Sequence, residues 1–175
     1  DVIEIRWHAR AGQGAKTAAH LFALATLREG RSAQAFPEYG PERRGAPVRA
    51  YTRIDDRPIR RHDSVTKPDA VVVLDSSLLS DPTVAEGLTP RTVVLADVEN
   101  PPHFDGTRIV SVPAGRLAAG AGTGFVNLVM AGALAAVLGH PPVEQVEEAA
   151  VEALGGKANG DAVRKAVEEG FRWAS

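Results

Sequence analysis

The sequence predicts an α/β fold: a Rossmann-like, mostly parallel sheet flanked by helices, with a helical C-terminal region. Three observations carry that prediction. Short β-branched runs at 70–75, 92–96 and 109–112 read as strands of a parallel sheet, because strands buried on both faces are continuously apolar. A strand, a glycine turn and a helix follow one another within the first 28 residues, the opening of a βαβ unit. Beyond residue 125 strand signals give way to three helical patterns.

In chain order, Val2, Ile3, Ile5 and Trp7 give the first strand signal, which runs into the glycine-bearing segment ARAGQGAKT. Over 15–28, Ala18, Leu21, Phe22, Ala25 and Leu27 fall near helical spacing, and Gly30 offers the stop. Residues 32–36 suit a second strand, followed by PEYGPERRGAP at 37–47, a loop dense in Pro, Gly and charge. Residues 48–54 alternate as a strand does, and Asp55-Asp56 followed by Pro58-Ile59 reads as a turn into a paired strand. The run AVVVLD at 70–75 is repeated in character by TVVLA at 92–96 and IVSV at 109–112, with Pro-marked segments at 81–90 and 97–105 between them. Helices are expected over 125–138, 142–154 and 161–173, with Asp161 as N-cap of the last. Neither a linker nor a 20–50-residue repeat is visible, so 1–175 reads as one domain.

Composition narrows the function classes. Hydrophobic residues at 44% and charged residues at 24% argue against disorder, and 5% aromatic residues leave Ala, Val and Leu to build the core. The absence of cysteine excludes disulfides, thiolate zinc sites, a cysteine nucleophile and a Cys-ligated iron–sulfur cluster held by this chain. The most apolar stretch, 125–138, falls short of the ~20 residues a membrane helix needs, so it reads as a buried helix and no membrane role is expected. The sequence opens on a strand with no basic-then-apolar leader, which makes the cytoplasm the expected location.

The net charge of −2 conceals an asymmetry. Residues 1–67 hold 13 Lys and Arg against 8 Asp and Glu, whereas 68–175 hold 7 against 14. Nine arginines fall from Arg28 to Arg61. They form either a solvated basic edge or a set of bidentate contacts to carboxylate or phosphate. Nucleic acid is not the expected partner, given the negative total and the scarcity of aromatic residues.

Two loops are candidate sites. In the first, Gly12-Gln13-Gly14 joins strand to helix, where glycines permit positive φ and free N–H groups favour an anion. A dinucleotide fingerprint needs G-x-G-x-x-G, and a P-loop needs Lys directly after its second Gly; Ala15 intervenes before Lys16, so neither motif is met. The turn therefore either packs helix on sheet or meets a phosphate or partner. In the second, Arg43 and Arg44 stand at the centre of Tyr39-Gly40-Pro41-Glu42-Arg43-Arg44-Gly45-Ala46-Pro47, a stiffened loop suited to clamping a phosphate or carboxylate, or else a solvated turn. The five histidines show no metal-ligand spacing, His8 and Asn127 read as structural, and no G-x-S-x-G elbow is present.

Taken together, these segments carry a resemblance. IRWHARAGQGAKTAA at 5–19 resembles the opening of the gamma subunit of the 2-oxoacid:ferredoxin oxidoreductase family, such as pyruvate:ferredoxin oxidoreductase, whose pattern is close to G-x-G-G-Q-G; Ala9 and Ala11 stand in place of two of those glycines. FPEYGPERRGAPVRAYTRIDDRPI at 36–59 is similar to a second hallmark around G-P-E-x-R-G, PDAVVVLDSSLL at 68–79 to a third, and Asn127 with Gly132-Ala133 to a later one.

The resemblance implies a single gamma-type domain within a complex that converts a 2-oxoacid and coenzyme A reversibly to acyl-CoA and carbon dioxide. It implies alpha and beta subunits, with or without delta, or their fused equivalents, as partners and ferredoxin as electron acceptor. Thiamine diphosphate, magnesium and iron–sulfur clusters are expected in those partner chains. None is expected in this one, which has no cysteine and lacks the G-D-G…N pattern, Gly160-Asp161 being followed by Ala162. No residue here is expected to be catalytic or to ligate a metal. Gly12, Gln13, Gly14, Arg43 and Arg44 are the residues expected to help position coenzyme A. The alternative is a free-standing α/β protein that binds a nucleotide or phosphate.

Overall fold

The computed structural model describes residues 1–38, 43–104 and 106–175. Among these residues, six strands form one sheet in the order β2-β3-β1-β4-β5-β6: β1 (Ile3–Arg10), β2 (Ser32–Pro37), β3 (Pro47–Asp55), β4 (Ala70–Val73), β5 (Val93–Ala96) and β6 (Arg108–Ser111). β4 lies parallel to β1, β5 to β4 and β6 to β5. Only β3 runs against the others, pairing with β1 on one side and β2 on the other. The sheet is thus mostly parallel, as expected, with β3 inserted between the two strands of the first βαβ unit.

Among the described residues, six helices accompany it: α1 (Ala15–Arg28), α2 (Pro82–Ala85), α3 (Ala114–Gly120), α4 (Val126–Leu138), α5 (Val143–Leu154) and α6 (Gly160–Ala174), with a 3-10 turn at Ser76–Ser80. None of them is long and apolar enough to cross a membrane. Period-two alternation along β1 sends Ile3, Ile5, Trp7 and Ala9 to one face, where α1, α4, α5 and α6 build the main core with them. Its bulk comes from Ala, Val and Leu, and its one large anchor is Trp7, edge-on to Phe22 at 5.9 Å between ring centroids. The indole N–H is satisfied inside this core by donating to Thr52 Oγ1 at 3.0 Å, and that hydroxyl donates to the Ala19 carbonyl.

Glycines set how closely the two longest-range helices approach. A Cβ on Gly132 of α4 would lie 2.0 Å from the Val167 carbonyl oxygen, and one on Gly170 of α6 would lie 1.9 Å from that of Val129. The two backbones are therefore in direct contact, which any larger residue forbids.

Two expectations are corrected. Residues 58–59 form no strand, because both edges of β3 are already occupied by β1 and β2; the segment instead crosses the second face of the sheet as irregular chain. Asp161 is not the cap of α6: the Asn159 side chain accepts from the N–H groups of Asp161 and Ala162. The segments at 81–90 and 97–105 do separate β4, β5 and β6; the first contains the single turn α2, and the short α3 follows β6, each too brief for periodicity to reveal.

Candidate functional site

The glycine turn and the arginine loop emerge at the same edge of the sheet, beyond the C-terminal ends of β1 and β4. Open α/β sheets bind ligands at that edge. Gly12 has φ +93° and Gly14 φ +85°, values in the left-handed region that side-chain-bearing residues rarely adopt. Gln13 braces the turn with both ends of its amide. Its Oε1 accepts from the Arg10 N–H at 2.7 Å and its Nε2 donates to Asp75 Oδ2 at 2.7 Å. Asp75 also accepts from the N–H and hydroxyl of Ser77, and these bonds, with help from Gln13 and Arg10, hold its carboxyl below the usual carboxylate range.

Arg10 joins the three loops. Its guanidinium donates to Ser77 Oγ at 3.0 and 2.9 Å and to the Gly45 carbonyl at 3.0 Å. The backbones bind each other too: the Ala11 N–H donates to the Ala46 carbonyl at 2.8 Å, and the Ala46 N–H closes a turn onto the Arg43 carbonyl at 2.9 Å. Arg43 and Arg44 are exposed and form no ion pair among the described residues. Tyr39, Gly40, Pro41 and Glu42, the first part of the proposed clamp, lie outside the described residues.

Beside the turn is a cleft of about 540 Å³, walled by Gly12, Gln13, Gly14 and Thr17 on one side and by Gly124, Phe125, Val126 and Asn127 on the other, with Leu154 and Lys157 at its end. Asn127, expected to be structural, donates from Nδ2 to the Gly14 carbonyl at 3.2 Å, and a Cβ on Gly14 would fall 2.5 Å from that nitrogen. Gly14 is thus glycine for two reasons, its φ and the close approach of Asn127. The structure brings Gly12, Gln13 and Gly14 into the cleft wall and places Arg43 and Arg44 outside it, on the adjoining turn.

Most arginines of the basic segment meet a fate the sequence does not disclose. Arg28 pairs with Glu152, Arg31 with Asp56, Arg49 with Glu38, Arg53 with Glu4 and Arg61 with Asp63. Five of the nine are therefore internal fasteners, and Arg43, Arg44, Arg57 and Arg60 form no ion pair among the described residues. Arg6 belongs to the same system: 1% exposed, it donates to His8 Nε2 at 2.8 Å and to the carbonyls of Thr83, Val84 and Glu86. Burial, reinforced by the Arg6 charge, pushes the His8 imidazole down to about 3, so it is a neutral acceptor for the Arg6 guanidinium. Sequence reasoning passed over Arg10, Asp75 and Ser77. The one signal for them is the position of Asp75 at the C-terminal end of a parallel strand. Among the described residues, no group of three or more His, Asp or Glu is placed to hold a metal ion.

Comparison with known proteins gives consistent answers. The model of the pyruvate ferredoxin/flavodoxin oxidoreductase family matches residues 4–173. The chain is 43% identical over 179 residues to the pyruvate/ketoisovalerate oxidoreductases common subunit gamma of Thermococcus kodakarensis, covering 97% of this chain and 96% of that one. The crystal structure of pyruvate oxidoreductase subunit PORC from Thermotoga maritima superposes with a TM-score of 0.83 at 37% identity, covering 98% and 96% of the two chains. A 2-oxoglutarate:ferredoxin oxidoreductase from Magnetococcus marinus shares the fold at 16% identity and TM-score 0.78, over 99% of this chain and 31% of that longer one.

Proposed function

The chain belongs to the pyruvate ferredoxin/flavodoxin oxidoreductase family as a gamma-type, accessory subunit of a 2-oxoacid:ferredoxin oxidoreductase, and from that premise we propose how it serves the complex. It acts as one domain over 1–175, joins alpha and beta chains, with or without delta, in the cytoplasm, and contributes to positioning coenzyme A while ferredoxin takes the electrons. Thiamine diphosphate, its magnesium and the iron–sulfur clusters supply carbanion and electron-transfer chemistry from the partner chains. The donor set here does not fit them: there is no cysteine, and no carboxylate or imidazole group is gathered for a metal among the described residues.

The observation that carries the reading is the hydrogen-bonded junction between the glycine turn and the turn bearing Arg43 and Arg44. That junction holds two exposed guanidiniums, without an ion pair among the described residues, on the turn that adjoins Gly12, Gln13 and Gly14, at the edge where parallel sheets meet their ligands. Coenzyme A carries a pyrophosphate and a 3′-phosphate. Guanidiniums on a braced turn lose little entropy on engaging such groups.

The test is Arg43→Ala and Arg44→Ala in the assembled enzyme, with subunit content followed by gel filtration. One charge-assisted bond is worth ~1.5–3 kcal/mol, so the KM for coenzyme A should rise more than about tenfold while that for the 2-oxoacid scarcely moves. Dissociation of the complex would make the arginines interface residues instead. An intact complex with unchanged coenzyme A kinetics would refute the role.

A further inference from the structure

Arg10 stands between the two turns and uses both edges of its guanidinium to join two loops. Nε and Nη2 donate to Ser77 Oγ at 3.0 and 2.9 Å, and Nη1 donates to the Gly45 carbonyl at 3.0 Å. One edge of a rigid planar group is thus fixed on the segment after β4, and the other on the turn that carries Arg43 and Arg44. Gly45 is the third residue of that turn, closed by the Ala46 N–H on the Arg43 carbonyl, and its φ of +77° is the positive value a type II turn requires there. The grip falls on the residue directly after Arg44.

Ser77 is prepared as the acceptor. A serine hydroxyl has one proton, and Asp75 Oδ1 takes it at 2.6 Å, so only the lone pairs of Oγ are left to face Arg10. The same carboxylate oxygen accepts from the Ser77 N–H at 3.0 Å, and Oδ2 accepts from Gln13 Nε2 at 2.7 Å. One carboxylate therefore anchors both turns, the glycine turn through Gln13 and the arginine turn through Ser77 and Arg10. Asp75 itself lies 4.0 Å from Arg10 Nε, at the limit of an ion pair, so the hydroxyl carries the link. Ser77 is exposed and the Arg10 side chain is 35% exposed, so this network orders loops and fills no core.

We propose that Ser77 and Arg10 are positioning residues: anchored by Asp75, they set the place and orientation of the Arg43–Arg44 turn relative to the glycine turn. A turn fixed in advance offers its guanidiniums without an ordering cost at the moment of binding. The kinetic consequence rests on the coenzyme A reading of those two arginines; the ordering of the turn does not.

The test uses Ser77→Ala, Ser77→Thr and Arg10→Lys, with melting temperatures checked. Hydrogen exchange on the full chain reads the junction at the Ala11 and Ala46 amides, which donate to the Ala46 and Arg43 carbonyls. Ser77→Ala should speed both about tenfold. Arg10→Lys should do the same, because an ammonium cannot span Ser77 and Gly45 at once. Ser77→Thr keeps the hydroxyl and should leave both rates unchanged. In the assembled oxidoreductase, Ser77→Ala should raise the KM for coenzyme A about threefold to tenfold, the net worth of one hydrogen bond, while kcat and the KM for the 2-oxoacid hold. Added to Arg43→Ala and Arg44→Ala together, it should have no further effect. Unchanged exchange at Ala11 and Ala46 in both Ser77→Ala and Arg10→Lys would overturn the proposal. So would a coenzyme A effect of Ser77→Ala that persists without the two arginines, or none at all where the arginine variants themselves raise that KM. If exchange quickens and neither Ser77→Ala nor the arginine variants alter coenzyme A kinetics, the ordering of the turn stands and the coenzyme A reading falls.

Discussion

On the face of the sheet turned toward α1 and α4, burial is apolar and close: Ile5, Trp7, Ala18, Phe22 and Leu128 are fully enclosed, and α6 touches α4 backbone to backbone through Gly132 and Gly170. On the opposite face, over β2, β3 and β1, the enclosed side chains include Arg6, His8 and Arg53. Among the described residues, no long helix covers that half. The single turn of α2 and irregular segments lie on it instead, and guanidiniums fasten them: Arg6 holds 83–86 by three carbonyls, and Arg53 holds Asp63 by its carbonyl while bonding Glu4 and Gln34. The difference teaches where a basic segment can hide its charge. A helix covers a sheet with methyl groups and needs no polar match, whereas an irregular segment presents carbonyls, for which an arginine with five donors is the compact answer.

The polar face breaks most readily at Arg53, whose side chain is fully buried beside Glu4. Arg53→Ala removes the nearest cation from that carboxylate, leaving it Arg61 at 3.9 Å, and strips the Asp63 carbonyl of its donor; it should cost about 3–5 kcal/mol in chemical denaturation. Replacing Arg53 and Glu4 together by apolar residues should recover most of that loss, which would show that matching, and not charge itself, sustains this face. On the apolar face the corresponding break is steric. Gly132→Ala forces α4 from α6 against a carbonyl 2.0 Å away and should cost about 1–3 kcal/mol, with no dependence on salt.

Acid distinguishes the faces more gently. His8 is held neutral down to about 3, against an ordinary value of 6.5. Below pH 6.5 the unfolded chain takes up a proton that the folded one refuses, so stability falls as pH drops from about 6.5 toward 3. The contribution is up to about 1.4 kcal/mol per pH unit. His8→Gln keeps an acceptor for Arg6 without a titrating ring and should flatten that slope, as read from denaturation midpoints at pH 7, 6 and 5.

Much of the apolar face was legible in the sequence because it repeats: two-residue periodicity marked β1, continuous β-branched runs marked β4 and β5, and helical spacing marked α1, α5 and α6. The polar face was not legible, because its partners are single residues far apart in the chain, as Arg6 is from Glu86 and Arg53 from Glu4, and no local pattern announces them. The candidate site divides in the same way. Gly12 and Gly14 could be picked out as positive-φ positions from their place between strand and helix, and Arg43 and Arg44 from the loop composition. The bracing role of Gln13 and Arg10, and the packing of Asn127 on Gly14, depend on residues 62, 35 and 113 positions away.

We propose that the arginine-bearing edge, where Arg43 and Arg44 would meet coenzyme A, is also the edge that this accessory subunit turns toward its partner chains, while the apolar face holds that edge in place. Hydrogen exchange on the free chain and on the assembled oxidoreductase tests it most directly. Amides at 34–38 and 43–61 should exchange at least about tenfold more slowly in the complex, while those of α4 and α6, already protected by the core, should be unchanged. Equal exchange at 43–49 in both states, with new protection confined to the helical face, would contradict the account.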